Sequence, residues 1–190
     1  MLASITPLGE RGRHSNWWVT VTAFLTGATV ASAAAGAALG ALGSVVLPER
    51  HRTAVLVAAI AVAIVVDALP LAVPGPRRQV DERWLDRYRG WVYGAGYGAQ
   101  LGVGATTIVS SAATYVALLA AFLTASAPAG AIVLGCFGAV RGLTPLAGAG
   151  VRSQRRLLEF HRALARWRHP ARWGVVAAQA GMLVLALALS

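Results

Sequence analysis

The 190-residue chain contains one cysteine, seven acidic residues and no lysine. A lone cysteine, Cys136, excludes an intramolecular disulfide and any thiolate metal cage. Set between Gly135 and Phe137 in an apolar run, it reads as a small buried hydrophobe rather than a reactive thiol. The four histidines (14, 51, 161 and 169) fall outside the apolar runs, which excludes paired histidine ligation of a haem within them. No carboxylate pair, nucleophile–base set or phosphate-cradling glycine loop occurs at useful spacing. The sequence therefore points away from catalysis and calls for no cofactor or metal.

Charge is scarce too. Asp, Glu, Lys and Arg make up 13% of the chain, about half of the roughly one quarter usual in a soluble domain. What charge exists is segregated. Apolar and small residues run from Trp17 to Leu47, from Thr53 to Ala68 with Asp67 as the only charge, from Trp91 to Val140, and from Trp173 to Ser190. Eighteen or more such residues suffice to cross a bilayer core of ~30 Å at ~1.5 Å per residue. With 57% hydrophobic residues and a mean hydropathy of +0.62, the expected fold class is all-α, a polytopic transmembrane helical bundle. Five spans are expected, at about 17–46, 53–73, 91–124, 129–146 and 173–189, behind a cytoplasmic N-terminal segment, 1–16. The basic flank and apolar run at the N-terminus imitate a signal peptide, but the run far exceeds the 7–15 residues of a signal core; it reads as a retained first helix.

The net charge of +10 comes entirely from arginine. No stripe of aromatics and cations on a polar domain accompanies it, so nucleic acid is excluded as a partner. Instead the arginines edge the apolar runs. Fourteen fall in the N-terminal segment, in 77–89 and in 152–172, against Arg50 and Arg52 in the opposite loop. The bias places the N-terminus in the cytoplasm and the C-terminus outside a plasma membrane. Trp17, Trp18, Trp91 and Trp173 begin spans on that same side, where amphipathic rings settle among headgroups. Between Val151 and Arg168, Leu157, Leu158, Phe160, Leu164 and Trp167 recur near helical spacing among arginines, the pattern of an interfacial amphipathic helix on anionic lipid. Residues 81–88 offer a shorter counterpart.

The first half of the chain repeats in the second. Residues 29–35 (TVASAAA) align with 107–113 (TIVSSAA), and 66–72 (VDALPLA) with 140–147 (VRGLTPLA). Two helices per unit return the chain to the same side, so the halves are expected to be related by an axis along the membrane normal. Asp67 and Arg141 occupy equivalent places in the two units. A charge in a span costs at least ~2.5–3.5 kcal/mol at the bilayer centre and usually faces protein or water, so the two form a candidate ion pair across the pseudo-axis. Alternatively, both reach the interface, arginine by snorkelling.

Gly94, Gly98 and Gly102 on the third span, and Gly36 and Gly40 on the first, lie four residues apart, a spacing that lets helix backbones approach closely. Gln100, Thr107, Ser110, Ser111 and Thr114 form a candidate polar path on the third span. Alternatively, such hydroxyls bond their own helix carbonyls. The first and third spans exceed the length of a perpendicular crossing and must tilt or break at their Gly and Thr clusters.

The stretch Gly98-Ala99-Gln100-Leu101-Gly102-Val103-Gly104, followed by Thr106-Thr107 and closing on Gly142-Leu143-Thr144-Pro145, resembles the polytopic thiol–disulfide electron carriers of the DsbD and cytochrome c biogenesis (CcdA-like) type. That family has duplicated halves with Gly-rich, broken first helices and needs a membrane cysteine beside proline in each half. Here Ser32 and Ser110 occupy those regions, and the family's three-helix repeats are inverted. The resemblance thus implies a cysteine-less relative and transfers no redox residue. Three functions fit the sequence: a small transporter or channel-like protein with a polar face on the third span, oligomeric to enclose a path; a non-catalytic scaffold or subunit of a membrane complex; and a component of a redox or cytochrome-maturation system. Expected partners are anionic lipids, a second copy or another membrane subunit.

Overall fold

A computed structural model describes residues 5–46, 48–69, 71–76, 83–104, 106 and 109–188. These residues form eight α-helices and no strand: α1 (Pro7–Gly12), α2 (Trp17–Val46), α3 (Arg52–Ala68), α4 (Trp84–Arg87), α5 (Gly90–Val103), α6 (Ala113–Leu123), α7 (Ala127–Gly142) and α8 (Gln154–Ala188). Among the described residues, four stretches are long and apolar enough to cross a membrane: Trp17–Val46, Glu49–Ala68, Ala127–Gly148 and Gln154–Ala188.

Local sequence sets most boundaries. Asn16 caps α2, its side-chain oxygen accepting the Trp18 amide at 3.0 Å, and Pro48 follows the helix end. Ser126 caps α7 by accepting the Ala129 amide, with Pro128 in the first turn, where a missing N–H costs nothing. Pro70 follows the end of α3, so this helix stops at Ala68 rather than at the expected residue 73.

Two findings bear on the expected spans. First, the third span takes one of the two courses its length allowed and breaks, into α5 and α6. Gly104 ends α5 in the left-handed conformation, φ +77°, which only glycine adopts freely. The polar and β-branched run of Thr, Ile, Val and Ser after it competes poorly for helix. The first span, by contrast, stays unbroken over 30 residues. Second, the amphipathic segment 151–168 is not a separate helix. From Gln154 it is the first half of α8, which continues through Pro170 to Ala188 as one 35-residue helix, about 52 Å long.

The core forms around α2. On one side α5 runs parallel to it, with Gly94, Gly98 and Gly102 against Thr20, Phe24 and Ala28. On the other α7 runs antiparallel, with Gly36 facing Gly130 and Gly40 facing Ser126. At Gly98 and Gly36 a Cβ would overlap a backbone carbonyl of the opposing helix, so the small-residue ridges set these crossings. A second pair, α3 and α8, joins the bundle through α6, where Ile60 and Ala63 pack on Ala112 and Val116 with Leu183 alongside.

Residues 5–16 dock on the bundle rather than trailing from it. Ile5 is buried with Trp17, Val21, Phe24, Tyr93 and Tyr97, and the Leu8 amide donates to the Val151 carbonyl at 3.1 Å. Trp84 stacks on Tyr97, with ring centroids 6.1 Å apart. The N-terminal segment, α4 and residues 149–151 therefore share the end of the molecule at which α2 and α5 begin.

Candidate functional site

The interruption between α5 and α6 exposes two helix ends inside the bundle. A helix C-terminus leaves carbonyls without partners and carries partial negative charge; an N-terminus leaves amides and carries partial positive charge. Side chains of opposite sign meet both ends. Arg141, one residue before the end of α7, donates from Nε to the Leu101 carbonyl at 2.9 Å, in the last turn of α5. Thr106 donates to the neighbouring Gln100 carbonyl. The Arg141 guanidinium also lies over the Phe137 ring, 5.5 Å from its centroid.

Asp67 serves the opposite end. Its Oδ1 accepts the Ala112 amide at 3.0 Å, and its Oδ2 accepts Ser111 Oγ and Gln179 Nε2, each at 2.8 Å. Ser111 Oγ accepts the Ala113 amide in turn. Asp67 is 7% exposed and Gln179 1%. Three hydrogen bonds to a carboxylate, about 1.5–3 kcal/mol each, offset the ~2.5–3.5 kcal/mol cost of a charge at the centre of a span.

Asp67 and Arg141 are therefore not partners. Among the described residues no ion pair joins them, which corrects the expected bridge. Their places near the ends of α3 and α7 bring them to the two sides of the interruption between α5 and α6. The segments aligned as a repeat also differ in conformation: 29–35 is helical inside α2, whereas 109–112 is not helical.

Beside this junction lies a cavity of about 800 Å³ between the end of α3, residues 71–73, the interruption and the middle of α8. Its polar lining is Asp67, Ser110, Ser111, Arg168, His169 and Arg172. Arg172 closes the C-terminal end of α3 by donating from Nη2 to the Ala68 carbonyl at 2.9 Å, while its Nε is buried with no partner. Trp173 Nε1 donates to His169 Nε2 at 3.4 Å.

The expected polar path is only partly assembled. Ser110 and Ser111 both reach the cavity. Thr114 is buried in the first turn of α6 at 4% exposure, and Gln100 sits on α5, outside the cavity. Thr107 lies outside the described residues. These positions do not form one helical stripe because the described residues between α5 and α6, 104, 106 and 109–112, are not helical. Other hydroxyls bond their own helices as expected, Thr29 to the Leu25 carbonyl at 2.8 Å among them. Cys136, expected to be buried, is exposed on the outer side of α7.

Sequence reading missed Glu10. It is fully buried and accepts hydrogen bonds from Arg13 at 2.7 Å, Thr20 at 2.8 Å and Tyr93 at 2.6 and 2.7 Å. Burial pulls the Arg13 pKa down, but the bonds to Glu10 and Tyr93 carry it above its ordinary value. A single acid in a short polar segment has no periodic signature that announces such a role. Gln179 and Arg172 were missed as site residues as well; their signal was an amide in an apolar helix and an arginine at its edge. No protein family model, curated protein or solved structure matches the chain.

Proposed function

We propose that this chain is a small multi-pass membrane transporter whose path runs along the interruption between α5 and α6. The observation that carries the reading is the broken helix, with both inner ends met by side chains of opposite sign beside an 800 Å³ vestibule that carries polar and apolar side chains. Discontinuous spanning helices of this kind form substrate and ion sites in transporters, because their free ends present concentrated dipoles inside the membrane. Neither half can cross a ~30 Å core alone; α5 and α6 in series supply the fifth crossing. The Arg-rich end then faces the cytoplasm, with the N-terminus inside, the C-terminus outside and anionic lipid around α8. The resemblance to thiol–disulfide carriers enters only through the broken Gly-rich helix.

The test is thiol accessibility. In a Cys136→Ser background, Ser110→Cys and Ser111→Cys react with a polar thiol reagent supplied from the cytoplasmic side of membrane vesicles, and Ser32→Cys, buried between α2 and α7, does not. Equal protection of all three positions overturns the transporter reading. A scaffold reading draws on a different observation, the exposed first half of α8 with Leu158, Leu164 and Trp167 open, and predicts that equal protection.

A further inference from the structure

We propose that the vestibule binds the carboxylate or phosphate group of a small soluble anion. This inference rests on the transporter reading and names its substrate class. The vestibule falls within the ~300–1,000 Å³ of ordinary small-molecule sites. Its described lining holds two guanidinium groups, Arg168 and Arg172, and one carboxylate, Asp67.

That carboxylate is already occupied. Its oxygens accept from Ser111, Ala112 and Gln179, and it sits at the positive end of α6, so little of its charge faces the cavity. The guanidinium groups are less committed. Arg172 spends Nη2 on the Ala68 carbonyl but leaves a buried Nε–H unsatisfied, and Arg168 is exposed along the wall. His169, whose Nε2 accepts from Trp173, lines the same wall. Ser110 adds a hydroxyl at the floor. These residues line the cavity from α8 and from the approach to α6, and charge-assisted bonds from arginine to carboxylate or phosphate are the strongest such a site can make. A cation would instead meet two guanidinium groups and a carboxylate that already accepts three hydrogen bonds.

The experiment uses the full chain in phosphatidylcholine nanodiscs, with thermal unfolding followed as inorganic phosphate, acetate or sodium chloride of equal ionic strength is added. A ligand that binds only the folded state raises the unfolding midpoint. Phosphate or acetate is expected to raise it where sodium chloride does not. Arg168→Gln should weaken the apparent affinity about tenfold, whereas Arg162→Gln, the same charge change on α8 outside the vestibule, leaves it unchanged. Arg168→Gln removes no helix cap, so it tests the site without the loss of stability that Arg172→Gln brings. Equal response to all three salts, or equal weakening by both variants, overturns the proposal. So does a response to phosphatidylglycerol discs alone, which assigns the cavity to a lipid headgroup. Anion binding with Ser110→Cys protected leaves the site standing and removes transport; labelling without anion binding does the reverse.

Discussion

Asp67 accepts the Ala112 amide at 3.0 Å and so holds the first turn of α6, while Arg141, its counterpart in sequence, holds the last turn of α5. The two charges act on one broken helix but not on each other. Asp67→Asn and Arg141→Gln should therefore lose stability additively, with a coupling energy below ~0.5 kcal/mol. Asp67→Asn and Ser111→Ala, which share a hydrogen bond, should couple by about 0.5–3 kcal/mol. Double-mutant cycles on unfolding in detergent measure both. Strong coupling between Asp67 and Arg141 would restore the direct bridge.

Glu10 ties three segments together from inside the fold. Glu10→Gln removes the charge that Arg13, Thr20 and Tyr93 all address, and loss of one charged partner in such a buried cluster costs about 1–3 kcal/mol or more. The loss should fall first on residues 5–16, because α1 has few other anchors. Limited trypsinolysis at Arg11 and Arg13 reads this directly: cleavage should be markedly faster in Glu10→Gln than in the parent, and Tyr93→Phe should lie between them. Unchanged cleavage would mean that the N-terminal segment docks through Ile5 and Trp17 alone.

These two sites show how far the sequence could be read. Asp67 was visible as the one charge in an apolar run, and Arg141 as its equivalent, because a charge amid hydrocarbon stands out by composition. Their partners were not visible, since they are backbone groups that become available only where a helix breaks. The Gly and Thr cluster at 104–107 marked a possible break, but a long apolar run satisfies a bilayer equally well by tilting. α2 and the third span looked alike on this count; the left-handed Gly104 at the end of α5 separates them. Glu10 left only the local trace of Arg13 three residues on, because its other partners in space lie 10 and 83 residues away.

Orientation and lipid exposure can be checked together. The arginine bias predicts that a reporter fused after Ser190 is active outside the cell and one fused before Met1 is active inside. Cys136, exposed on α7 and flanked by apolar residues, should react in intact membranes with a membrane-permeant maleimide and resist a charged thiol reagent. A cytosolic signal from the C-terminal reporter would remove the odd number of crossings. Rapid reaction of Cys136 with the charged reagent would place the outer side of α7 against water.

The glycines divide into two groups with opposite expected responses to alanine. At Gly98 the added methyl meets the Phe24 carbonyl and at Gly36 that of Gly130. Backbone cannot move aside as a side chain does, so the helices must separate, and overpacking of this kind costs about 1–3 kcal/mol. Gly174 and Gly181 lie in the interior of α8 with nothing within 4 Å of a built Cβ. There alanine only lowers the entropy cost of the helix, a gain of about 0.5–1 kcal/mol. Unfolding midpoints in detergent should therefore fall for Gly98→Ala and Gly36→Ala and stay level or rise for Gly174→Ala and Gly181→Ala. A neutral Gly98→Ala would mean that α5 does not pack on α2 at this distance, and the placement of the interrupted helix beside Arg141 would fail with it.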